Sequence, residues 1–149
     1  MIVKSILDSK TRDISHLVIS PDEFATTVAR LIATSNIGAV VAVDPSGRIA
    51  GIISERDIVR SLAQQGQAIS CLRVAEVMTS EVLVCHETDD VHRVIKSMTE
   101  RKIRHIPVVD ENHRMIGLVT IGDILKSVLF DALPPHIQAL CEYRAHNLN

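Results

Sequence analysis

Apolar residues follow two signatures along this chain, and the pair of signatures occurs twice. Val40-Val41-Ala42-Val43 and Ile49-Ala50-Gly51-Ile52-Ile53 are nearly continuous apolar runs on either side of the polar Asp44-Pro45-Ser46-Gly47. Runs of this kind read as strands covered on both faces and joined by a turn. The order returns as Ile106-Pro107-Val108-Val109, Asp110-Glu111-Asn112-His113 and Met115-Ile116-Gly117-Leu118-Val119. Before each strand pair the spacing changes to that of a helix. Phe24, Val28, Leu31 and Ile32 make one stripe after Ser20-Pro21-Asp22-Glu23. This predicts a helix with Ser20 as cap and Pro21 at its first position. Val91, Val94, Ile95 and Met98 make the matching stripe, beginning near Thr88-Asp89-Asp90. Short strands are expected ahead of these helices, at Leu17-Val18-Ile19 and Val82-Leu83-Val84. A second helix closes each copy, running from Asp57 towards Ala63 and from Asp123 towards Leu129.

The echo has a fixed offset. Gly51, Ser54 and Asp57 return as Gly117, Thr120 and Asp123, each displaced by the same interval. The openings Val3-Lys4-Ser5-Ile6-Leu7 and Val74-Ala75-Glu76-Val77-Met78 stand further apart than the motifs do. The first copy is therefore longer by about five residues, around Ser9-Lys10-Thr11-Arg12. Each copy reads β-α-β-β-α, an α/β (α+β) unit. Residues 1–66 form the first copy, 72–130 the second and 131–149 a C-terminal extension, with Gln64-Gln65-Gly66-Gln67 as the linker. A unit this small buries too little surface to stand comfortably alone, so the two should pack sheet against sheet. The extension holds one more helix, Ile137 to about His146, whose Ile137, Leu140 and Cys141 edge suits a dimer contact.

Composition narrows the chemistry. Apolar residues make up 46% of the 149, but aromatics only 2%, so a planar ligand would lie between aliphatic side chains; Ile53 and Val119 are the expected slot. A net charge of −2 with both signs interspersed carries no footprint for nucleic acid or an anionic membrane. No apolar run is long enough to cross a bilayer, the N-terminus has no signal-peptide pattern, and three cysteines argue against a disulfide framework. The expected setting is the cytoplasm. The histidines and cysteines lack zinc-type spacing, and no Walker loop, Rossmann loop or nucleophile elbow is present. No catalytic activity and no metal site are expected.

The doubled Gly-x-x-Ser/Thr-x-x-Asp stretch, the strand Arg104-His105-Ile106-Pro107-Val108-Val109-Asp110 and the repeated element order resemble a tandem pair of CBS (cystathionine-β-synthase) domains, a Bateman module. Ile53-Ser54-Glu55-Arg56-Asp57-Ile58-Val59-Arg60 resembles small stand-alone bacterial members. The resemblance spans roughly residues 1 to 130. It implies a pseudo-twofold pair with two clefts, homodimerisation, and binding of adenine nucleotides: AMP foremost, with NAD(H), ATP or S-adenosylmethionine as other candidates. Carried over by residue, it implies that Asp57 and Asp123 accept hydrogen bonds from ribose hydroxyls. It places Ser54 and Thr120 beside ribose and phosphate, and Arg56, Arg104 and His105 against phosphate. Gly122 and the pair Gly38-Ala39 replace the basic residues in the other copy, so the two sites should differ. The resemblance further implies a regulatory energy or redox sensor acting in trans on a protein partner.

Other readings of the same residues stay open. Ser54-x-x-Asp57 and Thr120-x-x-Asp123 have the form of helix capping boxes. Arg56, Arg104 and His105 also suit solvated positions. A dimerisation module with empty clefts, or a small enzyme consuming the nucleotide, would share these features; thermal shift and nucleotide turnover separate them.

Overall fold

The computed structural model describes residues 1–10 and 13–146, so Thr11 and Arg12 of the longer first-copy segment lie outside the described residues. The elements are α1 (Val3–Asp8), a 3-10 turn (Ser15–Leu17), β1 (Val18–Ile19), α2 (Ala25–Ser35), β2 (Ala39–Val43), β3 (Ile49–Ser54), α3 (Glu55–Gln65), a second 3-10 turn (Gly66–Cys71), α4 (Val74–Val77), α5 (Val91–Arg101), β4 (His105–Val109), β5 (Met115–Thr120), α6 (Ile121–Asp131) and α7 (Pro135–His146). One sheet has the order β1-β2-β3, with β1 parallel and β3 antiparallel to β2; the other is the antiparallel pair β4-β5.

Continuous apolar strands are buried on both faces, as their composition requires. Val40, Val41 and Ala42 of β2 are all fully buried. Val40 and Ala42 pack with Val28 of α2, while Val41 turns to Leu17, Met115 and Leu118, the contact between the two sheets. Burying each such valine is worth about 1.5–3 kcal/mol. The strand-joining turns are alike in both copies. Asp44 Oδ1 accepts from the Ser46 and Arg48 amides, and Asp110 Oδ1 from those of Asn112 and Arg114. Gly47 and His113 both take positive φ at the matching place in these turns, at φ 85 and φ 59 respectively. Glycine adopts that conformation freely, and a histidine there does so against its Cβ.

The two openings are exchanged between the copies. Val3, Ile6 and Leu7 of α1 lie in the core of the second copy, with Val94, Met98, Ile106 and Ile124. Val74 of α4 lies in the core of the first, with Val28, Val40 and Ile53. Backbone bonds fix the exchange: Val3 N donates to Asp89 O (2.9 Å) and Lys4 N to Glu87 O (2.8 Å), while Val74 N donates to Glu23 O (2.7 Å) and Ala75 N to Pro21 O (3.0 Å). Each copy is therefore completed by the other.

Three expectations about elements need correction. Helix α2 starts at Ala25 rather than Pro21, because the Pro21 and Glu23 carbonyls are taken by α4; Ser20 instead closes a turn, its Oγ accepting from the Asp22 amide (3.2 Å). Val82-Leu83-Val84 is not a strand. Pairing there is confined to Cys85, which bridges β4 through Cys85 N to Pro107 O (3.0 Å) and Val109 N to Cys85 O (2.9 Å). The expected linker is ordered structure: Gln64 and Gln65 end α3, and Gly66 opens a 3-10 turn with a positive φ. Helix α7 is held to the end of α6 by Gln138, whose Nε2 donates to the Phe130 (3.1 Å) and Leu133 (2.9 Å) carbonyls.

Candidate functional site

The strand β3 ends in Ser54, whose extended backbone makes it the N-cap of α3. Ser54 N donates to Asp57 Oδ2 (2.8 Å), and the Asp57 amide returns a long bond to Ser54 Oγ (3.4 Å). This is a reciprocal capping box, and it directs Asp57 to the rim of the helix N-terminus. Its other oxygen, Oδ1, accepts from Thr79 Oγ1 (3.2 Å) and lies 3.8 Å from Arg60 Nη1. Thr79 arrives with the exchanged α4. Capping thus uses one carboxylate oxygen, and Oδ1 faces groups from elsewhere.

Beside this carboxylate is a cleft of about 390 Å³. Ser54, Arg56, Asp57 and Arg60 line one wall, and Arg101, Lys102, Arg104 and His105 line the other. The basic groups outnumber the acids Glu55, Asp57 and Glu81, in a chain whose net charge is negative. Arg56 reaches across the cleft, its Nη1 donating to the Lys102 carbonyl (3.2 Å). Lys102 is the left-handed C-cap of α5, and Asn36 holds the matching place after α2. The apolar lining is Ile52, Val82, Leu83 and Ile103. Such a site can take an anion at one end and a flat apolar group at the other.

His105, on β4 of the second copy, packs against the first copy. It lines the cleft, pairs in register with Thr120 of β5, and packs over Gly38, where an added Cβ would come within 2.7 Å of Nε2. Burial pushes its pKa below the usual imidazole value. Glu55 pulls it up and Arg104 pushes it down, followed by Asp123 and Lys10 from the other side.

Of the residues expected from the sequence, Ser54, Arg56, Asp57, Arg104 and His105 share this cleft. Thr120 and Asp123 do not. They form an equivalent capping box on α6, with Thr120 N to Asp123 Oδ2 at 2.9 Å and Asp123 N to Thr120 Oγ1 at 3.1 Å. There Lys10 Nζ lies 2.8 Å from Asp123 Oδ2 and donates to Leu118 O (2.9 Å). The expected apolar slot also shifts. Ile53 and Val119 are buried in the cores of their copies, because successive strand residues face opposite sides; it is Ile52 that reaches the cleft. Sequence reading missed Arg60, Thr79, Arg101 and Lys102. It also missed the role of Gly38, which makes room for His105. Among the described residues, no three His, Cys, Asp or Glu side chains are grouped to hold a metal ion, and no helix is long and apolar enough to cross a membrane.

The CBS domain profile matches residues 4–64 and 74–129. The chain belongs to the CBS domain family. As a CBS pair it is similar to the CBS-domain containing protein ATU1752 from Agrobacterium tumefaciens, at 35% identity over 85% of this chain and 97% of the other, TM-score 0.77. It is also similar to the CBS domain pair of protein MJ0100, crystallised with 5′-methylthioadenosine and S-adenosyl-L-methionine, at 31% identity over 86% and 95% of the chains, TM-score 0.74. A CBS domain protein from Pyrobaculum aerophilum, complexed with AMP, matches at 25% identity over 83% and 89%, TM-score 0.72. The chain spans 61% and 55% of the length of two curated relatives it matches. This α+β pair of sheets with seven α-helices among the described residues is the architecture of the solved CBS pairs.

Proposed function

We propose that this CBS pair is a regulatory adenine-nucleotide sensor whose ligand, AMP foremost, binds in the cleft beside Asp57. The observation that carries the reading is one cleft of about 390 Å³ that joins a carboxylate with a second oxygen turned to the cleft, a basic rim and an aliphatic floor. That volume lies within the range of small-molecule sites, roughly 300–1,000 Å³. Asp57 accepts the ribose hydroxyls, with Ser54 beside the sugar. Arg56 and Arg104 hold the phosphate, and guanidinium forks suit it better than point charges do. His105 lies close enough to feel the phosphate and gain a proton. Ile52, Val82, Leu83 and Ile103 take the adenine between them. The AMP and S-adenosylmethionine complexes of the similar CBS pairs support an adenylate; ATP and NAD(H) are the other ligands to test.

The sensor acts without catalysis, as a cytoplasmic homodimer that alters contact with a protein partner in trans. Dimerisation is supported by two exposed apolar stripes. Val59 and Leu62 on α3 match Leu125 and Val128 on α6 at the same interval that separates the motifs, with Leu129 beside them. Two such stripes related by a pseudo-twofold suit an isologous contact. Isothermal titration with AMP, ATP, NADH and S-adenosylmethionine tests the ligand. Heat from AMP that Asp57→Ala removes supports the reading, and no heat from any of the four sinks it. Prolonged incubation should leave the nucleotide intact.

A further inference from the structure

We propose that Lys10 is the built-in counter-cation of Asp123, answering its charge from within the chain, so that a nucleotide takes the cleft beside Asp57 and not the second motif. This rests on the adenylate reading for the cleft beside Asp57 and adds the fate of the second motif.

The two motifs are nearly alike in themselves, from glycine through capping hydroxyl to carboxylate. They differ in what the exchanged openings deliver to them. In the alignment that sets Val3 on Val74, Lys10 falls on Glu81. Glu81 lines the open cleft beside the acids Glu55 and Asp57 and brings Asp57 no cation; Arg60, from α3 itself, approaches Asp57 at 3.8 Å. Lys10 instead brings its ammonium to 2.8 Å from Asp123 Oδ2. The same ammonium donates to Leu118 O at 2.9 Å, so two acceptors hold it in place.

The pairing is partly sheltered, with the Lys10 side chain 32% and that of Asp123 25% exposed. Burial by itself would raise the Asp123 pKa, but the hydrogen bonds from Lys10 and then Thr120 reverse this and leave the carboxyl below its usual range. A diol approaching Asp123 would meet a carboxylate whose charge is already answered, at the oxygen that also closes the capping box.

The test combines titration calorimetry with carboxyl-carbon NMR on the full chain. With AMP as the probe, wild type should bind one equivalent per chain and Asp57→Asn should weaken it by about tenfold or more. Lys10→Met should leave AMP affinity within about twofold, as expected for a change outside the cleft. In the NMR titration, Asp123 should ionise below the ordinary aspartate range in wild type and move up in Lys10→Met. Two equivalents per chain, only one of them weakened by Asp57→Asn, overturns the proposal while the adenylate reading stands; a single site that Asp57→Asn leaves at wild-type affinity overturns both. An Asp123 that titrates identically with and without Lys10 also overturns it. No AMP heat together with a Lys10-dependent Asp123 has the opposite meaning: the adenylate reading falls and the Lys10 assignment holds.

Discussion

Asp57 has two separable tasks, and substitution can tell them apart. Its Oδ2 closes the capping box with Ser54, while Oδ1 is turned to the cleft. Losing a cap costs about 1 kcal/mol. For a chain of this length the unfolding entropy is about 0.3 kcal/mol/K, so that loss lowers Tm by about 3 °C. AMP at about a hundred times its dissociation constant adds about 2.7 kcal/mol, a rise of about 9 °C. A hydrogen bond to a charged group is worth about 1.5–3 kcal/mol, so without the carboxylate the rise at the same AMP concentration should shrink to about 1–4 °C. Asp57→Ala should therefore show both effects, a lower Tm without ligand and a diminished response to it. Asp57→Asn keeps a capping oxygen, and its Tm without ligand should stay near that of wild type while its AMP response still shrinks. Differential scanning calorimetry with and without AMP gives all these values. If Asp57→Ala melts about 3 °C early yet keeps the whole AMP rise, the carboxylate is a helix cap and nothing more, and the assignment of the cleft is wrong.

Other outcomes follow from single contacts. Gly38→Ala sets a methyl group 2.7 Å from His105 Nε2. Urea unfolding of that variant should show a loss of about 1–3 kcal/mol, along with weaker AMP binding. His105 is held neutral by burial, with its folded pKa below the ordinary imidazole value. Its contribution is therefore complete above the unfolded pKa of about 6.5 and is lost as pH falls through the folded pKa, because the unfolded chain takes up the proton first. Stability measured by urea denaturation should fall as the pH drops below about 6.5, and His105→Gln should flatten that slope. Placing a charge on the exposed stripe through Val59→Glu with Leu129→Glu should convert the proposed dimer to monomer in light scattering and leave the circular dichroism of the fold unchanged; a monomeric wild type, or a dimer that survives both changes, removes α3 and α6 as the contact.

Periodicity and capping signals are local, and local order was readable from the residues. The strand pairs, the turns at Asp44 and Asp110 and the motif positions of Ser54 and Thr120 all follow from neighbours a few residues apart. The openings could not be read this way, since nothing within Val3–Leu7 or Val74–Met78 says which copy it will complete. That choice is made by long-range burial, and it determines the chemistry of each cleft. The exchange carries Thr79 and Glu81 to the cleft of Asp57, and the other opening carries Lys10 to Asp123. The one usable signal was the interval between the openings, which pairs Lys10 with Glu81 and so pairs opposite charges in a duplicated frame. The two sites therefore differ because each motif receives different residues from its partner copy. Interchanging those charges, with Lys10→Glu and Glu81→Lys in one chain, should lower AMP affinity beside Asp57, since the new ammonium would neutralise the carboxylate that the ribose hydroxyls seek. Unchanged affinity in that double variant, measured by titration calorimetry, would separate the asymmetry of the clefts from the exchange invoked to explain it.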